Sequence, residues 1–338
     1  MPQNTKILII KCMLTQRTHS FLCALLMLTI LPTLAASAQT QPERIDIWSG
    51  TSVHHRVWLT PYLAGANSTA VIVCPGGSYF WHDMDAEGEQ AGSWLQRHGI
   101  SAFVLRYRTA YVPAFVLHYR WLLRGNRYPD ALNDLRQSLR YVRSHAKEYG
   151  VDTTRIGVMG FSAGGHLAMS AVELLPRTEW PKFVVPVYPV VTFVDPCMHK
   201  RSRRGLLGDS REHNRSLCDS LSIERHVPEN CPPVFLVNCH DDPIVHYHNA
   251  ELLDSALTAR HVPHQYIQYR TGGHGFGASE VKGTAECRQW KTAFLKWLQE
   301  LFSYHESLEV REEEDPRPCV CADHVSSCPE THVLYRTV

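Results

Sequence analysis

Charge of one sign is what this 338-residue chain most plainly lacks. Lysine and arginine total 34 against 33 aspartates and glutamates, a formal net charge of +1. That balance gives no electrostatic case for nucleic acid or an anionic membrane, so neither is expected as a partner. Internal repeats are also missing, which sets repeat architectures aside. Long apolar runs are scarce: the conspicuous one is "FLCALLMLTILPTLAASAQ", residues 21–39. It is short for a membrane span, holds Pro32, and closes on Ala36-Ser37-Ala38, an A-x-A pattern preceded by Lys6, Lys11 and Arg17. The expectation is a signal peptide over residues 1–38, with Met13 an alternative start, and an exported protein with no stable membrane span after cleavage. A membrane anchor fits the run less well, and Cys23 comes too early in it for a lipoprotein cysteine.

Paired cysteine is not secured either. Of 11 cysteines, those beyond Ala38 are Cys74, Cys197, Cys218, Cys231, Cys239, Cys287, Cys319, Cys321 and Cys328, an odd set that leaves at least one thiol unpaired in a monomer. Cys74 and Cys239 lie in apolar, strand-like runs and read as buried free thiols. Cys197, Cys218 and Cys231 fall in an irregular region and are the better disulfide candidates. Cys319-x-Cys321 with Cys328 has weak metal-site spacing, so no metal is expected.

What is present is ordinary globular composition, 44% hydrophobic and 20% charged, enough for one large domain. Apolar runs alternate with helical patterns. "TAVIVCPGG" reads as a buried strand entering a glycine turn, and "DAEGEQAGSWLQRHG" as a helix stopped by Gly99. "PDALNDLRQSLRYVRSHAKEYG" places Leu132, Leu135, Leu139 and Val142 on one helical face and closes on Gly150. Strands follow at "RIGVMGF", "FVVPVYPVV", "PVFLVNC" and "HQYIQYR". This predicts an α/β fold with a mostly parallel sheet and helices on both faces, spanning residues 39–305. Stretches near 109–128 and 194–230 interrupt the alternation after strands, where lids and pocket walls gather in open α/β sheets. Residues 306–338 have few core residues and read as a peripheral, poorly ordered tail.

The chemistry begins at Gly160-Phe161-Ser162-Ala163-Gly164, between a strand pattern and a helix pattern. A turn that tight has no room for side chains two residues either side of Ser162, hence glycine at Gly160 and Gly164. The serine is held out at a helix N-terminus, where the amide of Ala163 and the helix dipole face a developing oxyanion. A serine needs a base, and the base an orienting carboxylate. Asp241 and Asp242 follow one strand, and His274 stands between Gly273 and Gly275 after the last, in the order serine, acid, histidine. His166, four residues after the serine, is expected to pack; Asp130 and Asp134 are expected at a helix start and a helix surface. In "VIVCPGGSYFWHD" Gly76 and Gly77 let the backbone approach a substrate oxygen, and the amides of Gly77 and Ser78 are the expected second donors.

Three blocks carry a resemblance: "CPGGSYFWHDMDAEGEQAGSWLQRHGISAFVLRYR", "YPDALNDLRQSLRYVRSHAKEYGVDTTRIGVMGFSAGGHLA" and "DDPIVHYHNAELLDSALTARHVPHQYIQYRTGGHGFG". Over roughly residues 69–301 the chain resembles the α/β-hydrolase esterases near the hormone-sensitive-lipase and acetyl-xylan-esterase branches, exported bacterial forms especially. The resemblance implies Ser162 as nucleophile, His274 as base and Asp242 as orienting acid. Asp242 is preferred because the family's aspartate is followed by two residues and a valine, here Pro243-Ile244-Val245. Three departures bear on substrate shape: Ser78 replaces a third glycine, His246 a frequent proline, and residues 109–128 a shorter connection.

The activity implied is a serine carboxylic-ester hydrolase, without cofactor, acting on a small-molecule or carbohydrate ester with a short acyl group. No long apolar lid stands out, which argues against a triglyceride lipase. Tyr79, Trp81, Tyr111, Tyr119 and Trp121 are aromatic candidates for stacking on sugar rings. Two other readings share the fold. A prolyl-oligopeptidase-type serine peptidase would carry a large extra domain or an anchor for a cationic amine, and neither is evident. A non-catalytic binding module is disfavoured by the complete Ser-Asp-His set.

Overall fold

Alternation along single strands decides the layering. The computed structural model describes residues 43–54, 56–110 and 126–314, with side chains to residue 303. β2 (Ser68–Cys74) sends Ala70, Ile72 and Cys74 into one core and Val71 and Val73 into another, because successive side chains leave a strand on opposite faces. β6 (Val234–Cys239) repeats this, with Val234 and Leu236 on one side and Phe235, Val237 and Cys239 on the other. A strand apolar on both faces must be covered on both, which suits a parallel sheet between helical layers.

The remaining strands are β1 (Trp58–Tyr62), β3 (Ser101–Arg106), β4 (Val151–Phe161), β5 (Val184–Val187) and β7 (His264–Tyr269). Their order is β1-β3-β2-β4-β5-β6-β7, with β1 antiparallel to β3 and every other neighbouring pair parallel. The helices are α1 (Gln90–Arg97), α2 (Asp130–Ser144), α3 (Ala146–Tyr149), α4 (Ala163–Leu174), α5 (Lys200–Leu207), α6 (Arg215–Ser220), α7 (His248–Ala259) and α8 (Trp290–Glu314). Leu135 and Leu139 of α2, Ala168 of α4 and Leu253 of α7 pack on one face of the sheet. Trp94 of α1 with Trp290, Phe294 and Leu298 of α8 pack on the other. Cutting a fully buried member such as Leu135 to alanine is expected to cost about 2–5 kcal/mol.

Several expectations need correction. The helix beginning at Asp130 stops at Ser144, not Gly150: the Ser144 hydroxyl and His145 Nδ1 both bond the Tyr141 carbonyl, and the chain restarts as the single turn α3. Asp134 is not on the helix surface but fully buried. It holds Arg108 through the guanidinium and backbone amide and accepts from Trp48 Nε1 at 2.9 Å. Burial pushes its carboxyl above the usual range despite those bonds.

The 194–230 stretch, expected as a lid or pocket wall, is folded. It forms α5, α6 and a 3₁₀ turn at Ile223–Arg225, with Leu206, Leu207, Leu221 and Ile223 buried. Cys197, Cys218 and Cys231 are free rather than disulfide-bonded, Cys218 and Cys231 being buried among apolar residues. The last helix continues past residue 306 to Glu314. The signal-peptide expectation, residues 111–125 of the first insertion, and Cys319, Cys321 and Cys328 lie outside the described residues. Among those described, no helix is long and apolar enough to cross a membrane.

Candidate active site

The carboxyl ends of the parallel strands deliver the site. β4 ends at Phe161 and α4 starts at Ala163, so the backbone must reverse at one residue, Ser162, at φ 54° and ψ −118°. For a non-glycine residue that is a sparsely populated conformation, held here by its surroundings. A Cβ on Gly160 would lie 2.0 Å from the Gly164 carbonyl oxygen, and one on Gly164 would lie 2.0 Å from that of Cys74. One glycine therefore relieves crowding inside the bend, while the other lets the bend pass the end of β2.

Ser162 Oγ lies 2.9 Å from His274 Nε2, and His274 Nδ1 lies 2.6 Å from Asp242 Oδ2. An ionised carboxylate only accepts hydrogen bonds, so Nδ1 carries the proton and Nε2 is left to accept from the serine hydroxyl. Asp242 is itself pinned, its Oδ1 accepting from Ile244 N at 2.8 Å and Val245 N at 2.9 Å. Asp241 does something else. It accepts from Gly272 N and Gly273 N, at 3.0 and 2.8 Å, tying down the loop that presents His274.

The turn after β2 supplies amides. Gly77 (φ 129°), Ser78 (φ 57°) and Tyr79 (φ 61°) run in sequence with positive φ. Any side chain at Gly77 would run into the Trp81 carbonyl, 2.1 Å from its Cβ position. Gly76 N is occupied, donating to Glu87 Oε2 at 2.6 Å. The amides of Gly77, Ser78 and Ala163 donate to no described residue. α5 packs against this turn so closely that a Cβ on Gly205 would lie 2.1 Å from the Ser78 carbonyl oxygen. The 194–230 stretch thus walls the turn.

Sequence reasoning missed Glu87 and Tyr188. Glu87 is buried, with Oε1 accepting from the Tyr188 hydroxyl at 2.8 Å. That hydroxyl accepts from Gly277 N at 2.9 Å, and the Tyr188 ring lies 4.6 Å from the His274 ring, centre to centre. One carboxylate therefore links the glycine turn, the end of β5 and the His274 loop. No local pattern marks this glutamate, because its partners Gly76 and Tyr188 are remote in sequence.

Other aromatic and histidine expectations divide. His166 is buried between the Tyr79 hydroxyl at 2.7 Å and the Leu221 carbonyl at 2.8 Å, and burial pushes it down to about 4. Its role is to hold helix against turn. Tyr79 is buried in that bond and cannot offer a face to a sugar, whereas Trp81 is 49% exposed. Tyr111, Tyr119 and Trp121 lie outside the described residues.

The family model BD-FAE matches residues 60–257, from β1 to within α7, including the serine bend and both aspartates. The chain belongs to the BD-FAE family. This BD-FAE chain is 31% identical over 210 residues to an acetylxylan esterase of Xylanibacter ruminicola, an alignment covering 62% of the chain and 41% of that protein. It is 29% identical over 216 residues to endo-1,4-beta-xylanase B of Butyrivibrio fibrisolvens, covering 61% and 32%. The chain thus spans less than half the length of these two relatives. Among solved structures it is similar to an acetyl ester-xyloside bifunctional hydrolase from Caldicellulosiruptor lactoaceticus, with TM-score 0.66 and 28% identity over 78% of this chain and 98% of that one. The fold is that of the α/β hydrolases, and the family is an esterase family close to acetylxylan esterases.

Proposed function

We propose that this BD-FAE chain is a serine carboxylic-ester hydrolase that removes short acyl groups, acetyl above all, from plant polysaccharide. The observation that carries the reading is the unbroken hydrogen-bonded line from Ser162 Oγ through His274 to Asp242, at 2.9 and 2.6 Å. Ser162 Oγ attacks the ester carbonyl as its proton passes to His274 Nε2. Asp242 keeps the proton on Nδ1 and stabilises the imidazolium that forms. The oxyanion is received by the amides of Gly77, Ser78 and Ala163, none of which is spent on a described residue. His274 then protonates the departing alcohol, and water enters the same cycle to release the acid. The names of the xylan-related relatives favour acetyl on a carbohydrate. Export is part of the proposal: cleavage after Ala38 would leave Gln39 as the first residue, which N-terminal sequencing of secreted protein reads directly.

The test is hydrolysis of p-nitrophenyl esters of increasing acyl length beside acetate release from acetylated xylan. Activity is expected to be highest on acetyl and to fall with chain length. Ser162→Ala is expected to lose a factor on the order of 10⁶ in kcat. Near-native turnover by that variant would end the assignment, and rising activity toward palmitoyl esters would end the substrate reading.

A further inference from the structure

Beside the Gly77–Ser78 turn is a cavity of about 470 Å³ whose lining holds three arginines and no carboxylate: Arg56, Arg106 and Arg108, with Trp81, His82 and Tyr107 among the rest. Arg108 is spent, its guanidinium bonded to Asp130 and Asp134. Arg106 is different. It is half-buried, lies 4.3 Å from the Trp58 ring centre, and shares that ring with Arg44 at 4.7 Å. Burial and then Arg44 depress its pKa, and among the described residues it has no carboxylate partner. Arg56 is exposed and likewise has none among them. A partly desolvated guanidinium held beside a second one is costly unless something negative comes to it.

His82 points to the same conclusion independently. Its Nε2 is shielded from solvent and has no hydrogen-bond partner among the described residues. Burial first, and Arg106 second, push the ring down to about 3, so it is neutral and can exchange one hydrogen bond with a hydroxyl. The ring is fixed edge-on to Tyr107 at 4.4 Å, and Tyr107 is anchored through its hydroxyl to the Pro75 carbonyl. Trp81 supplies a half-exposed indole at the same lining. Trp81 N donates to the Gly77 carbonyl at 3.2 Å, so the turn and the cavity wall are continuous.

Cation, aromatic face and a neutral ring nitrogen together describe a ligand with a carboxylate, an apolar ring face and hydroxyls. We propose that this cavity is a subsite for a uronic acid residue of the polysaccharide, its carboxylate paired with Arg106 and Arg56 and its ring against Trp81. Inorganic phosphate satisfies the arginines but offers nothing to Trp81. The proposal deepens the polysaccharide reading above, on which it rests for the identity of the polymer.

The test uses unesterified xylo-oligosaccharides of one length, with and without a glucuronic acid branch, titrated calorimetrically into the full protein. The acidic ligand is expected to bind about tenfold more tightly at low salt, about 1.4 kcal/mol, with the advantage shrinking as salt rises. Arg106→Gln is expected to abolish most of the advantage, and Arg56→Gln, at an exposed position, about half of it. Should Arg106→Gln fail to fold, the Arg56→Gln ratio decides. Equal binding of the two sugars, or an advantage that survives substitution in folded protein, overturns the proposal. So does competition by inorganic phosphate as effective as that of the branched sugar, which would mark a general anion site. Neither ligand carries an ester, so these outcomes leave the hydrolase reading to Ser162→Ala alone.

Discussion

Replacing Glu87 with glutamine tests the least expected part of the site. The carboxylate is buried between Gly76 N and the Tyr188 hydroxyl. Burial pushes its pKa up to about 7, against the pull of those two bonds and of His274, with Asp83 adding to the rise. A carboxyl whose pKa is higher folded than unfolded makes the native state the tighter proton binder. Its contribution to stability is therefore greatest below about 4.5, its ordinary value, and is lost as pH rises through 7. The gap between those two values is worth about 3 kcal/mol. Glutamine does not titrate. The stability of the native protein minus that of Glu87→Gln should therefore fall by about 3 kcal/mol between pH 4.5 and pH 8. Urea unfolding of both proteins across that range, followed by tryptophan fluorescence, reads this difference, and titrations common to both cancel. A difference constant with pH would refute the reasoning.

The same substitution has a kinetic consequence. Both donors that reach Glu87 need an acceptor, and a glutamine amide presents one oxygen. Either Gly76 N or the Tyr188 hydroxyl then meets an NH₂, and the turn or the His274 loop must shift. Hydrogen bonds to charged groups are worth about 1.5–3 kcal/mol, so kcat for p-nitrophenyl acetate at pH 8 should fall roughly tenfold or more with little change in KM. A loss confined to KM would place Glu87 in substrate binding instead.

Other substitutions follow from the same geometry. Asp242→Asn should lower kcat by about 10⁴, as expected when the orienting carboxylate is lost. Asp241→Asn removes only an anchor for Gly272 and Gly273 and should cost about tenfold or less; the reverse ranking in a steady-state assay would exchange their roles. Gly164→Ala would force a Cβ to 2.0 Å from the Cys74 carbonyl oxygen. It should destabilise by more than about 4 kcal/mol, seen as insoluble expression or a collapsed melting temperature; a well-folded variant would contradict the close approach of bend and β2.

Legibility followed the range of the interactions. Residues 70–74 and 234–237 are unbroken apolar runs, a local signal of a buried strand that needs no partner to be read. The Ser162 bend is equally local, since its crowding falls on glycines two residues away. Asp242 sits between these cases. Its position after β6 was readable, but its choice over Asp241 came from a family pattern, and only the folded loops explain why both are needed: one aspartate faces the imidazole, the other the amides that carry it. Asp134 shows where periodicity fails. Its place on α2 looked like surface until Arg108 and Trp48, distant in sequence, closed over it. Glu87 is the extreme. Residues 85–89 form a π-helical turn, with Glu89 N bonded to the Met84 carbonyl, so a register counted at 3.6 residues drifts just where the glutamate sits. Its two donors come from β2's turn and the end of β5, one of them 101 residues away. A carboxylate held by one amide and one phenol has no pattern of its own, and it becomes visible only when the sheet brings those strand ends to one edge.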